Sequence, residues 1–230
     1  MQSSSGARLK AYFRCPKSYK REFKEAKCAL PISVGQRYHN GDEFAAIIER
    51  VNNTFKECTI IVCDSLQRYT IQMIEHCSEE RAYKIAMEQG DYWLEKNYNI
   101  YNNLSIPYKI MRWDEWLSHS QYKLQKAEIE NLYKFQRAFR DAICSTTKKF
   151  LIRYTAKFKN IVNKELIFHK SAEYMKEECA VTSLWFPEED LDFQAYPGSQ
   201  PNELVIAYKY FLKSNVDKIL QWLSICFVKE

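Results

Sequence analysis

A serine that ends a buried strand just before a tight turn is placed to act as a nucleophile. Ser33 has that setting in Ala29-Leu30-Pro31-Ile32-Ser33-Val34-Gly35-Gln36-Arg37-Tyr38. Gly35 permits the turn, and backbone N–H groups at a strand-to-helix junction can hold a developing oxyanion. A serine there also serves commonly as a turn or capping residue, so position alone leaves both readings open. Tyr174 and Glu178 have i, i+4 spacing, which puts a phenol and a carboxylate on one face of a helix. Such a pair holds an ammonium or relays its proton, or it is simply an exposed pair on an acidic helix. Tyr196, just before Pro197-Gly198, closes a strand on the side of Ser33 or is an ordinary rim residue.

Charge is unevenly spread around these candidates. The 230-residue chain carries a net charge of +5. Ten basic residues between Lys134 and Lys170 face Asp141 and Glu165, and eight between Arg8 and Lys27 face Glu22 and Glu25. Seven acids between Glu173 and Asp192 meet one lysine. The basic runs are either solvated helix faces or a surface that tracks phosphates. Tyr133, Phe135, Phe139, Phe150, Tyr154 and Phe158 interleave with the second run at helical spacing, which favours core packing over base stacking.

Several chemistries are excluded. The five glycines cannot build a Gly-rich phosphate cradle. The four histidines, His39, His76, His119 and His169, form no His-Glu-x-x-His metal helix, and Pro31 stands where a G-x-S-x-G elbow needs glycine. The eight cysteines include no Cys-x-x-Cys pair and read as reduced, mostly buried thiols of a cytosolic protein rather than zinc ligands. No run approaches the roughly 20 apolar residues of a membrane helix, and Arg8, Lys10 and Arg14 precede any hydrophobic run, unlike a secretory leader.

The elements that must position these residues follow from periodicity. With 46% hydrophobic residues, one domain over 1–230 can bury a large core, residues 1–7 being too polar to order alone. Strands are expected at 27–34, 58–63, 108–111 and 191–196. Helices are expected after Asn40-Gly41, after Asp64-Ser65 to about Cys77, from Ser78 to 103, over 121–144, 149–159 and 171–179, after Pro201, and over 216–228. Trp113-Asp114-Glu115 reads as a turn. Strands alternating with helices predict an α/β fold with a mainly parallel sheet. Ligands then bind beyond the carboxyl ends of the strands, which lines up Ser33, Asp64-Ser65, the loop after Met111 and Tyr196 on one rim.

Taken in order, Leu30-Pro31-Ile32-Ser33-Val34-Gly35-Gln36-Arg37-Tyr38, Tyr174-Met175-Lys176-Glu177-Glu178 and Tyr196-Pro197 resemble the motifs of the tRNA-dependent cyclodipeptide synthases over roughly residues 25 to 215. Gln36 and Pro197 resemble the X-Tyr-Pro branch of that family. The resemblance implies a Rossmann-like domain similar to the catalytic domain of tyrosyl- and tryptophanyl-tRNA synthetases. It implies two aminoacyl-tRNAs as partners, no cofactor, no metal and a monomer in the cytoplasm. In the implied ping-pong mechanism Ser33 takes one aminoacyl group. A second aminoacyl-tRNA then brings its amine to that ester, leaving a dipeptidyl-enzyme, and the dipeptide's own amine closes the ring.

By the same resemblance, Tyr174 and Glu178 hold the first α-amino group and Tyr196 relays protons near Ser33. Gln36, Ile61, Trp113, Val181 and Gln194 bind the first aminoacyl group. One departure stands out. Where other members carry an arginine-rich helix, this chain has Arg81, Lys84 and Lys96 among Glu79, Glu80, Glu88, Asp91 and Glu95. tRNA docking is therefore expected on Lys134, Arg137, Arg140, Lys148, Lys149 and Arg153, or on the basic N-terminal segment. The competing readings are a serine acyltransferase or esterase for small esters, and a non-catalytic tRNA-binding domain.

Overall fold

The computed structural model describes residues 8–157, 163–212 and 221–229. The expected loose residues 1–7 lie outside them. In chain order the elements are β1 (Leu9–Arg14), β2 (Lys27–Ile32), α1 (Gly41–Asn52), β3 (Glu57–Val62), α2 (Arg68–Glu75), α3 (Glu79–Tyr101) and β4 (Tyr108–Arg112). Then follow α4 (Trp113–Leu117), α5 (Tyr122–Phe135), α6 (Arg137–Lys157), α7 (Lys164–Glu188), β5 (Phe193–Pro197), α8 (Asn202–Leu212) and β6 (Gln221–Lys229). One six-stranded sheet runs β1-β6-β5-β2-β3-β4, with β1 antiparallel to β6 and every other pair parallel.

The central strands alternate between two cores, as period-2 geometry requires. Cys28, Leu30 and Ile32 of β2 join Cys58, Ile60 and Val62 of β3 against α1 and α3. Ala29 and Ile61 face the opposite side, among residues of α4 to α8. Ser78 starts α3 by accepting the Arg81 N–H, and Asn163 starts α7 by accepting that of Leu166, both N-cap contacts.

Strand order reverses between β2 and β5, and the residues there open a crevice. The Ile32 carbonyl accepts the Cys63 N–H at 2.9 Å on the β3 side. Pro31, one residue earlier, therefore faces β5 with no N–H to give. β5 pairs with β2 at Cys28 and Ala29 and then diverges. The crevice lies at the carboxyl ends of the strands, where open α/β sheets bind ligands.

The structure corrects several expectations. Residues 221–228 form a strand rather than a helix. Their apolar run fits either period, and pairing with β1 and β5 decides it; the start of that expected helix lies outside the described residues. The segment before β2 contains a strand, β1, that its density of charge conceals. Trp113-Asp114-Glu115 opens the short helix α4 instead of a turn. The expected helices over 121–144 and 149–159 are instead α5 and α6, which break at an extended Gln136 with neither proline nor glycine to mark it. Asp64 and Ser65 are fully buried, not on the rim. The Asp64 carboxylate holds Arg112 Nε at 2.6 Å and the Ser65 N–H at 2.8 Å, and a Cβ at Gly90 would press on it at 2.5 Å.

Candidate active site

Ser33 leaves β2 on a turn closed by the Gln36 N–H on its own carbonyl, 3.2 Å away. The turn needs glycine at position 35 because φ there is +86°. Ser33 Oγ and Tyr196 OH share a hydrogen bond of 2.8 Å, and Tyr196 OH shares a second, also 2.8 Å, with Tyr38 OH. Three hydroxyls thus form a chain from the strand end toward half-exposed Tyr38. Burial pushes Tyr196 well above the usual phenol range, with Tyr38 adding to it, and burial raises Tyr38 as well.

No histidine reaches Ser33 Oγ. His39 is fully buried, and its Nδ1 accepts the Ser33 N–H at 2.9 Å. Burial lowers its pKa to about 3, so the ring stays neutral and positions the serine instead of deprotonating it. Trp93 Nε1 donates to the His39 carbonyl at 2.7 Å and pins that turn from α3. The Ser33 N–H is therefore engaged and is not free for an oxyanion. Among the described residues the N–H groups of Val34 and Gly35 meet no acceptor. The missing base also weighs against the esterase reading.

Ser33, Gln36, Tyr174, Glu178, Gln194 and Tyr196 line one cavity of about 700 Å³, within the size of small-molecule sites. Tyr174 and Glu178 enter it from α7. Gln67 Nε2 donates to Tyr174 OH across 3.5 Å, and burial, then Glu178, hold that phenol neutral. The Glu178 side chain keeps some accessible surface on the cavity and is otherwise enclosed by protein. Its pKa is pushed up to about 8, by burial first and by Glu203 second. Among the described residues no donor meets its carboxyl group.

Other expected residues fall elsewhere. Ile61, Trp113 and Val181 have no exposed surface and belong to the core behind α7, not to the cavity wall. Trp113 Nε1 donates to Glu177 at 3.0 Å, and Glu177 also accepts from Tyr69 and takes the buried Arg68 guanidinium. Adjacent glutamates therefore face opposite ways: Glu177 ties elements together, and Glu178 faces the cavity.

The basic set divides too. Arg153 reaches the cavity wall, its guanidinium 5.6 Å from the centre of the Phe150 ring, and Lys148 and Lys149 are exposed near it on α6. Arg140 Nη1 donates to the Lys134 carbonyl at 2.9 Å, and Arg137 pairs with Asp141. Arg137 and Arg153 lie about 24 Å apart along α6 at 1.5 Å per residue. Phe139 is core, Phe150 lines the cavity and Phe135 is 72% exposed; Phe158 lies outside the described residues.

Tyr38, Gln67, Glu203 and Trp222 belong to the cavity although the sequence assigned them no role. Tyr38 closes the serine motif, which was its one visible signal. Glu203 reads as an ordinary acid in a helix's first turn. Trp222 was hidden by the mistaken helix. Among the described residues, no group of three or more His, Cys, Asp or Glu side chains could hold a metal ion, and no helix is long and apolar enough to cross a membrane.

No family profile matches the sequence, and no curated protein does either. Solved structures do. A CDPS from Fluoribacter dumoffii is 36% identical, with a TM-score of 0.92 over 97% of this chain and 100% of that one. A cyclodipeptide synthase from Candidatus Glomeribacter gigasporarum, bound to Phe-tRNAPhe, is 21% identical with a TM-score of 0.70 over 87% of this chain and 88% of its own. A tyrosyl-tRNA synthetase from Archaeoglobus fulgidus, complexed with L-tyrosine, shares the fold at 10% identity and a TM-score of 0.55, over 90% of this chain and 56% of that one.

Proposed function

This chain belongs to the cyclodipeptide synthase family, and we propose that it joins the aminoacyl groups of two aminoacyl-tRNAs into a cyclic dipeptide through esters on Ser33. The observation that carries the reading is the Ser33–Tyr196 hydrogen bond of 2.8 Å in a cavity shared with an uncompensated Glu178 carboxyl. Gln36 and Pro197 support membership of the X-Tyr-Pro branch.

In the first step Ser33 Oγ attacks the ester carbonyl of one aminoacyl-tRNA. A new ester forms on Oγ, the bond to the tRNA 3′ oxygen breaks, and the serine proton passes through Tyr196 to that oxygen. The ester is already activated, so no nucleotide is consumed. Glu178 and Tyr174 hold the α-amino group. An α-amino group titrates near 7.7–8.0, and Glu178 near 8, so passing a proton between them costs little.

Atom balance corrects the direction of the second step. A dipeptide remains on Ser33 only if the amine already on Ser33 attacks the ester of the incoming aminoacyl-tRNA. Attack in the opposite sense leaves the dipeptide on tRNA. Glu178 takes the proton that frees this amine, and the second tRNA departs. In the third step the new terminal amine attacks the seryl ester, the ring closes and Oγ recovers its proton. This step is intramolecular and gains from effective concentration.

Phosphates of the tRNA run along α6. Lys148, Lys149 and Arg153 lie nearest the cavity, and Lys134, Arg137 and Arg140 extend the same basic helix pair. The reaction runs in the cytoplasm, with the chain acting as a monomer. The test is incubation with a full set of charged tRNAs, followed by mass spectrometry. Wild type gives a diketopiperazine and a trapped acyl group on Ser33, and Ser33→Ala gives neither. Absence of both from the wild type overturns the reading, and full activity of Ser33→Ala overturns the role of Ser33.

A further inference from the structure

The cavity holds a second carboxyl group that the steps above leave idle. Glu203 sits in the first turn of α8 and is 1% exposed. It lies on the wall of the Ser33 cavity together with Thr146 and Phe150 of α6 and Met175 and Glu178 of α7. One oxygen, Oε2, accepts the Thr146 hydroxyl at 3.1 Å. The other, Oε1, is buried and meets no donor among the described residues. An unmade hydrogen bond at a buried carboxyl oxygen is costly, so such an atom calls for a donor from water or from a ligand, and this one lies on the wall of the substrate cavity. Burial raises the Glu203 pKa, and its own N–H, Thr146 and the Lys149 charge oppose that rise without cancelling it. Lys149 itself is exposed and forms no ion pair with Glu203 within the described residues. The α-amino group of the bound residue is already matched to Glu178, which leaves Oε1 for a different donor.

We infer that Glu203 is a specificity-determining residue: Oε1 accepts a hydrogen bond from an N–H group on the side chain of one of the two aminoacyl groups. The side chains that fit are those ending in an ammonium, guanidinium, imidazole or amide. Apolar side chains leave the carboxyl oxygen unpaired, and acidic ones repel it. This rests on the activity proposed above.

The experiment uses the full chain and the complete set of charged tRNAs, with products identified by mass spectrometry. The expected wild-type product contains at least one residue with a side-chain N–H. Glu203→Met, close in volume but apolar, is expected to lower kcat/KM for that aminoacyl-tRNA about ten- to a hundredfold, the worth of one hydrogen bond to a charged group. Competing apolar aminoacyl-tRNAs keep or gain activity. Wild-type products confined to residues lacking a side-chain N–H overturn the inference, as does an equal loss on every product. The wild-type product set alone decides if Glu203→Met does not fold. A wild type that makes no cyclic dipeptide at all sinks the proposed activity instead, so the two failures are told apart.

Discussion

Glu178 has a folded-state pKa of about 8 against an ordinary 4.5, and two opposite consequences follow. Between those values the folded chain binds a proton that the unfolded chain has lost. The stability this group contributes is therefore complete below about pH 4.5 and is lost as pH rises through 8. Glu178→Gln should melt at a higher temperature than wild type at pH 8–9 and at nearly the same temperature at pH 4.5, read by thermal denaturation. Capture of an ammonium runs the other way, because it needs the carboxylate. Wild-type kcat/KM should peak near pH 8, falling below it as Glu178 takes up a proton and above it as the α-amino group loses one, whereas Glu178→Gln is inactive throughout. Tyr38 makes a milder case. Tyr38→Phe removes the far hydroxyl of the chain and should lower kcat about tenfold, the effect of one lost hydrogen bond on a barrier, with Ser33 acylation still detectable. Of these residues the sequence disclosed Ser33, Tyr174, Glu178 and Tyr196 through ordered motifs. It disclosed the uncompensated state of Glu178 not at all, since that depends on which side chains surround it in space. Glu177 and Glu178 are chemically identical in the sequence, and only the packing of α7 separates them.

At the scale of elements, α7 joins scaffold to site. Its Glu177 gathers Arg68 and Tyr69 of α2, Trp113 of α4 and Tyr122 of α5 in one buried network. Removing one partner of a buried ion pair costs about 3–5 kcal/mol because the other charge is stranded. Glu177→Ala should lose that much in denaturant unfolding, whereas Glu178→Gln loses none of it. The helices most plainly forecast, such as α1 and α3, have clear starts and regular apolar spacing. The errors share one cause. Gln136 breaks a continuous amphipathic pattern without a breaker residue. β1 and β6 become strands because they pair with each other and β6 also pairs with β5, contacts that local propensity does not record.

The molecule as a whole is polarised around its cavity, with carboxyl groups on the inner wall and cations on the neighbouring face of α6. An aminoacyl-tRNA carries its positive amine ahead of its phosphates, so in the proposed docking mode this arrangement would orient the substrate before contact. Reversing charge at Lys148, Lys149 and Arg153 should raise KM and reduce the slope of log affinity against log salt by about two to three. Unchanged activity and salt dependence would remove α6 as the docking face. The α/β class and the parallel sheet were legible in alternating strand and helix patterns. The position of the cavity was legible only as a rim, because the crevice depends on β5 leaving β2 at Pro31.

As the proposed amine-holding group, the Glu178 carboxyl would also set a boundary with protein synthesis. Every elongator aminoacyl-tRNA presents a free amine, but a formylated initiator or a growing peptide on tRNA presents an amide. An amide carries no charge to satisfy the carboxylate and no lone pair able to attack an ester. In the proposed role Glu178 would thus work as a filter, admitting monomers on their way to the ribosome and turning away chains already begun.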